Sequence, residues 1–266
     1  MMEPFSVVVP TWRNLDMLDM MHRGLTRNSA AEHQLIVFFN EMDDDCREWL
    51  NDRDVLWDSS PSNLGVCAAV NRAARQATCR YICYMNDDMY PLPGWDAALM
   101  QYAGLADPLW LSGTAIEAGR STPCYIGNTD YGDSPGNFRE ETLLREHEKL
   151  RRPYNVVSTW TPVLLSRSDW EAIGGFDEAY FPGFGSDPDL AMKMWHRGCR
   201  LFVGVGSSLV YHFAKSTTGR FSGPPGMDPR RHFRKKWGIS WKKFFRKNLH
   251  RDSVITPDLL RKLRQS

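Results

Sequence analysis

Two adjacent carboxylates close the run Tyr81-Ile82-Cys83-Tyr84-Met85-Asn86-Asp87-Asp88. An apolar stretch ending this way reads as a strand that delivers two negative charges to one spot, which is costly unless a cation lies between them. Hard divalent ions such as Mg²⁺ and Mn²⁺ take oxygen ligands and bridge to phosphates. The triplet is therefore a candidate metal and phosphate site, or else an ordinary polar turn. Further along, Gly174-Gly175-Phe176-Asp177-Glu178 precedes Gly185-Ser186-Asp187-Pro188-Asp189-Leu190. Paired glycines allow a backbone to approach closely. Asp187 could take a proton from a hydroxyl. It could equally be a helix N-cap, with Pro188 at the first helical position. His212, after Val210-Tyr211, could ligate a metal through a neutral ring nitrogen or be a hydrogen-bonded structural residue.

Strands must carry these groups. Phe5–Pro10, Leu35–Phe39, Val55–Trp57 and Arg80–Met85 read as strands, separated by helical patterns over 14–27 and 65–77. A turn at Pro91–Gly94 leads to a helix ending near Tyr102. Such alternation predicts a mostly parallel sheet with crossover helices, in which ligands bind beyond the carboxyl ends of the strands. Thr11, Asn40 and Asn86-Asp87-Asp88 all fall at that edge. Gly119–Gly136 reads as a long loop, Glu140–Arg152 as a charged helix and Val156–Leu165 as a strand. Asp187–Arg197 reads as a helix, and Leu201–Val205 and Ser208–Tyr211 as two short strands. The Gly/Pro-rich Ser216–Pro229 reads as a hinge or flap.

The 266 residues suffice for a large α/β domain with a sizeable core. The net charge of +1 hides an asymmetry: residues 229–266 hold 13 Lys and Arg against 2 Asp and Glu, leaving 20 against 30 for the rest. The basic segment interleaves cations with aromatics, as in Trp241-Lys242-Lys243-Phe244-Phe245-Arg246-Lys247. It could meet an anionic membrane surface, track nucleic acid, or pack on the body. The six cysteines make no C-x-x-C pair and suggest reduced, packed thiols. The N-terminus lacks a leader-like apolar stretch and no segment is long enough to span a bilayer, which points to the cytoplasm, at most peripheral at the membrane.

In order and spacing, these pieces resemble the family 2 glycosyltransferases, which have the GT-A fold. The resemblance runs from about Ser6 to about Thr217. It comprises Val7-Val8-Val9-Pro10-Thr11, then Asn63-Leu64-Gly65 with the Ala/Asn-rich 68–74, then Asn86-Asp87-Asp88 for a D-x-D motif. Gly174–Glu178, Ser186-Asp187-Pro188-Asp189-Leu190 and a strand ending in His212 complete it.

The resemblance implies an inverting, metal-dependent transfer of a sugar from a nucleotide diphosphate donor to an acceptor hydroxyl, in glycan or polysaccharide synthesis. It implies donor contacts from Pro10, Thr11, Asn40, Asn63, Asn86 and Asp87. Mn²⁺ or Mg²⁺ would be held by Asp88 and His212, with Asp187 as general base. Acceptor contacts would come from Trp160, Asp189 and Phe184. Trp160, Tyr180, Phe181 and Phe184 are also candidates for a sugar-stacking wall. The implied organisation is a glycosyltransferase domain over 1–215, with a nucleotide-binding half (1–105) and an acceptor half (106–215). Residues 216–266 would form a flap and a basic helical tail. Asn40 and Asn86 stand where the family has Asp, and Ser186 where it has Glu. The acceptor could be a glycan, a lipid-linked sugar or a modified nucleic-acid base. A non-catalytic nucleotide-sugar-binding protein of the same fold is the further alternative.

Overall fold

In the computed structural model, residues 2–214 and 227–259 are described. Most of the expected flap lies outside them. Four parallel strands build the first half: β1 (Ser6–Trp12), β2 (Gln34–Asn40), β3 (Leu56–Ser60) and β4 (Tyr81–Tyr84). The crossovers are α1 (Leu15–Asn28), α2 (Asp44–Leu50) and α3 (Gly65–Ala74). Val7, Val8 and Val9 are completely buried, as a strand covered on both faces requires. In α1 the spacing of Leu18, Met21 and Leu25 puts one apolar face on the sheet.

The second half comprises β5 (Met89–Pro91), α4 (Trp95–Met100), β6 (Trp110–Ile116), β7 (Tyr125–Ile126), α5 (Glu140–Leu150), β8 (Val156–Val157), β9 (Val163–Ser166), α6 (Arg167–Ile173), α7 (Ser186–His196) and β10 (Phe202–His212). The main path of the sheet runs β3-β2-β1-β4-β9-β6-β10-β5, with β7 on β6 and β8 on β10. β1 to β4 are parallel, as are β6, β7 and β10. The two sets are joined through β9, which is antiparallel to β4 and β6. The expected mostly parallel GT-A-type sheet flanked by helices is therefore present, with antiparallel pairs at the β9 junction and where β5 and β8 meet β10.

Several local expectations change. Val156–Leu165 is two strands, since Pro162 cannot donate to a ladder. The two short strands expected near 201–211 are one strand, with its register shifted between Gly204 and Leu209. The long loop 119–136 contains β7. Asp187 is not the N-cap of α7. That position is Gly185 at φ +84°, where a side chain would strike Pro229 and Trp241, so the helix begins one residue before Asp187.

The basic segment forms α8 (Pro229–Trp237) and α9 (Trp241–Phe244), followed by a π turn over Phe245–Leu249. It packs on the body: Phe233, Phe244, Phe245 and Leu249 are buried in the main core. Lys236 Nζ donates to Asp177 at 2.6 Å and to Asp189 at 2.8 Å, and Trp237 Nε1 donates to Asp189 at 2.7 Å. Segment 252–255 then joins the sheet edge, with Val157 N donating to Ser253 O and Ile255 N to Asn155 O. All six cysteines are free and five are buried. Among the described residues no helix is long and apolar enough to cross a membrane.

Candidate active site

Strand register assembles the site. β5 begins directly after Asp88 and pairs antiparallel with β10, placing Met89 opposite His212. Phe213 N donates to Asp88 O at 3.0 Å. The His212 ring therefore lies beside the Asp88 side chain, with Nε2 at 3.3 Å from Oδ1. On the other side, Ile116 of β6 pairs with Tyr211. The next residue, Glu117, accepts from His212 Nδ1 at 2.7 Å. Thr11, near the end of β1, donates its hydroxyl to Asp87 Oδ2 at 2.8 Å. Residues distant in sequence thus converge at the carboxyl edge of both parallel sets.

Charge is held under tension there. Burial, then the neighbouring Asp88, pushes the Asp87 carboxyl up to about 7. Burial alone would lower the His212 pKa, but Asp88 and Glu117 outweigh it and raise it to about 9. Burial opposes ionisation of Glu117 too, yet His212 and Arg120 hold it below the usual carboxylate range. A buried aspartate that resists ionisation beside a second carboxylate and an imidazole is a donor set that suits a hard divalent cation. Among the described residues no three or more such side chains form a metal cage. The protein donors would be Asp88 and His212, whose Nε2 would give up its proton to the cation, with the remaining ligands from a diphosphate or water.

These groups line a cleft of about 420 Å³ together with Pro10, Tyr84, Asn86, Arg120, Trp160, Phe184 and Asp187. Asp187, in the first turn of α7, has no hydrogen-bond partner among the described residues. Burial pushes its carboxyl up to about 6, partly offset by Arg251. Tyr84 donates its hydroxyl to Asn86 Oδ1 at 2.8 Å. The helix after Asn63-Leu64-Gly65 and the Gly174–Glu178 motif are physically coupled. Asn71 of α3 accepts from Phe176 N at 2.8 Å and donates to Phe176 O at 2.9 Å. Gly175 has φ +58°, and any Cβ there would stand 2.3 Å from Asn71 Oδ1, so the close approach needs glycine. Phe176 then packs edge-on against Tyr84.

A second cleft, of about 820 Å³, lies beyond β1 and β2 and is lined by Thr11, Arg13, Asn40, Glu41 and Asp43. Asn40 also accepts from Leu64 N at 2.8 Å, and Asn63 caps Gly65 N at 2.8 Å, so both hold the Asn63-Leu64-Gly65 turn. Of the expected aromatic wall, Trp160 and Phe184 line the first cleft. Tyr180 is 1% exposed and bonds Asp189. Phe181 packs against Gly65. Asp189 is completely buried, with Tyr180, Lys236 and Trp237 as partners. It departs from the expected acceptor role, because its carboxylate faces the interior of the α7–α8 junction. Glu117 and Arg120, which line the first cleft, and Arg251, which acts on Asp187 through its charge, are additions that the sequence motifs do not mark.

The sequence pattern described as Glycosyl transferase family 2 matches residues 6–156, more than half the chain. The chain belongs to this family. It is 27% identical over 231 residues to the O-antigen biosynthesis protein RfbC of Myxococcus xanthus, a match covering 79% of this chain but only 17% of that protein. The fold is shared with a crystal structure of S. aureus TarS 1–349, at a TM-score of 0.53 and 11% identity. That likeness covers 80% of this chain and 59% of TarS 1–349. The family match ends at residue 156, so the segment carrying Asp187 and the C-terminal helices lies beyond it.

Proposed function

We propose that this family 2 glycosyltransferase moves a sugar from a nucleotide diphosphate donor to an acceptor hydroxyl, inverting the anomeric carbon, in the assembly of a surface or extracellular polysaccharide. The observation that carries this reading is Asp187. It is a carboxylate without a hydrogen-bond partner among the described residues, and it faces the same cleft as Asp87, Asp88 and His212. The nucleoside fits the cleft lined by Thr11, Arg13 and Asn40, and the diphosphate fits beside Asp87, Asp88 and Arg120. Asp88 and His212 would hold Mn²⁺ or Mg²⁺. When bound, that ion would offset charge on the departing diphosphate.

Asp187 accepts the acceptor's hydroxyl proton as the oxygen attacks the anomeric carbon, and the nucleoside diphosphate leaves from the opposite face. A base whose pKa is about 6 is ionised at neutral pH and more basic than an ordinary aspartate. Arg120, 4.6 Å over Trp160 and 3.5 Å from Glu117, lines the same cleft and would meet diphosphate oxygens. On this reading residues 1–105 bind the donor, residues 106–215 complete the cleft, and the C-terminal helices wall the acceptor side. The polysaccharide context is supported by the likeness to the O-antigen biosynthesis protein.

The test is a screen of nucleotide sugars for release of nucleoside diphosphate with and without Mn²⁺, run on the unaltered protein and on Asp187→Asn. Turnover in the unaltered protein and a fall of about 10²–10⁴-fold in the variant support the assignment. Equal turnover in both sinks it.

A further inference from the structure

A cavity of about 800 Å³ adjoins the catalytic cleft on the far side of Asp187. Trp160, Phe184, Gly185 and Asp187 line both spaces, so the two adjoin at the proposed base. The opposite wall is C-terminal: Arg230, Trp241, Lys242, Phe245, Arg246 and Arg251. Among the described residues, the only carboxylates in the lining are Asp187 and Asp252.

The cations of the C-terminal segment divide into two groups. Lys236 is spent on Asp177 and Asp189 and fastens α8 to the body. Lys242 and Arg246 face the cavity, are exposed and make no ion pair among the described residues. Arg251 is held differently. Its guanidinium lies 5.0 Å over Trp160 and 3.9 Å over Phe245, fixing its plane, and its Nε is buried with no hydrogen-bond partner among the described residues. Asp252 is its nearest carboxylate, at 3.8 Å. A stacked, partly desolvated guanidinium with an unused donor is a ready partner for a phosphate oxygen.

We propose that this cavity is the acceptor subsite and that its acceptor carries a phosphate beside the sugar presented to Asp187. The inference rests on the glycosyl-transfer reading above. A neutral glycan would be served by Trp160, Trp241 and Phe184 alone and would make no use of the cations of Lys242, Arg246 and Arg251. A phosphate-bearing acceptor must also approach a cleft containing Asp87, Asp88 and Glu117, and the cationic wall offsets that repulsion. Arg251 exerts its field on Asp187. A phosphate that neutralises Arg251 makes Asp187 a stronger base when the acceptor is in place.

The phosphate could belong to a soluble phosphorylated glycan or to a lipid headgroup, and two arms separate these sources. In the first, calorimetry compares maltose 1-phosphate with maltose. In the second, co-sedimentation compares phosphatidylcholine vesicles with and without phosphatidylglycerol. Each is run on the unaltered protein and on the double variant Lys242→Glu/Arg246→Glu, with UDP and GDP binding in Mn²⁺ and the melting curve as controls of folding. A soluble source gives at least about tenfold tighter binding of maltose 1-phosphate, lost in the variant. A lipid source gives vesicle binding that requires phosphatidylglycerol and is lost in the variant. The proposal is overturned if neither phosphate preference appears, or if the variant retains it. If no nucleoside diphosphate binds while the phosphate preference holds, the donor reading fails and the cavity's selectivity stands.

Discussion

Replacing Asp187 by Asn should cut turnover about 10²–10⁴-fold and stabilise the protein at the same time. In the unfolded chain this carboxyl releases its proton near its ordinary value of 3.8; in the folded protein it does so near 6. Because the folded pKa is the higher one, ionisation favours the unfolded chain. The penalty begins as pH rises through 3.8 and is complete above about 6. At ~1.4 kcal/mol per pH unit, the rise from 3.8 to about 6 is worth at most about 3 kcal/mol. The side chain borders an open cleft, so solvent screening reduces this to about 1–2 kcal/mol. Asparagine keeps the shape and removes the charge. At pH 8 the variant should melt several degrees higher, at about 2–4 °C per kcal/mol for a protein of this size. Near pH 5 the gain should shrink to about half. The assay is thermal unfolding across that range, paired with nucleoside diphosphate release. A variant that melts no higher than the unaltered protein at pH 8, or a gain equal at pH 5 and pH 8, would refute the reasoning.

The same carboxyl sets the pH profile: kcat/KM should rise with pH through about 6 and level off above it, and a flat profile between pH 5 and 8 excludes Asp187 as the base. In Asp88→Ala and His212→Ala, calorimetry should show loss of the Mn²⁺-dependent part of UDP or GDP affinity; unchanged affinities with and without Mn²⁺ rule out this pair as metal ligands. Asp189→Ala leaves Trp237 Nε1 and the Tyr180 hydroxyl without their partner and Lys236 with Asp177 alone, and should cost about 2–4 kcal/mol, read from the urea midpoint. Gly175→Ala places a Cβ against Asn71 Oδ1 at positive φ and should destabilise by about 1–3 kcal/mol; an unchanged midpoint would mean that the Asn71 bracket yields freely.

The apolar runs of β1, β2 and β4 were legible because both faces of those strands are covered, which leaves an uninterrupted hydrophobic signature. β6 was not, although every residue in it is buried. Its centre is Ser112-Gly113-Thr114, and the two hydroxyls are satisfied internally, Ser112 by Trp110 Nε1 and Thr114 by Val205 O. That polar centre hid the strand, and with it Glu117 and Arg120, which stand just past its end. The Asp87–Asp88–His212 grouping was foreshadowed by position after strands. The reason they meet is the β5–β10 register, a long-range pairing that no local pattern encodes. Asp189 misled for a similar reason. It was expected among the acceptor contacts through the family resemblance alone, whereas its burial is imposed by Lys236 and Trp237 from a helix forty-odd residues later. Arg251 left no local signal at all, because its role depends on Trp160 and Phe245 arriving on either side of it.

The pairing of segment 252–255 with the short strand at Val156–Val157 has a consequence for how an acceptor is met. Two hydrogen bonds to Val157 and one from Ile255 to Asn155 hitch the last described stretch of chain to the sheet, directly next to Arg251. The guanidinium is thereby set before any substrate arrives, like the fixed jaw of a vice. An acceptor entering this cavity has little of the protein to immobilise, so binding incurs less ordering entropy than closure of a mobile lid would. Discrimination among acceptors then falls to fit against a standing surface, and substitutions at Val254 and Ile255, which pair with the sheet but do not line the cavity, should loosen that discrimination.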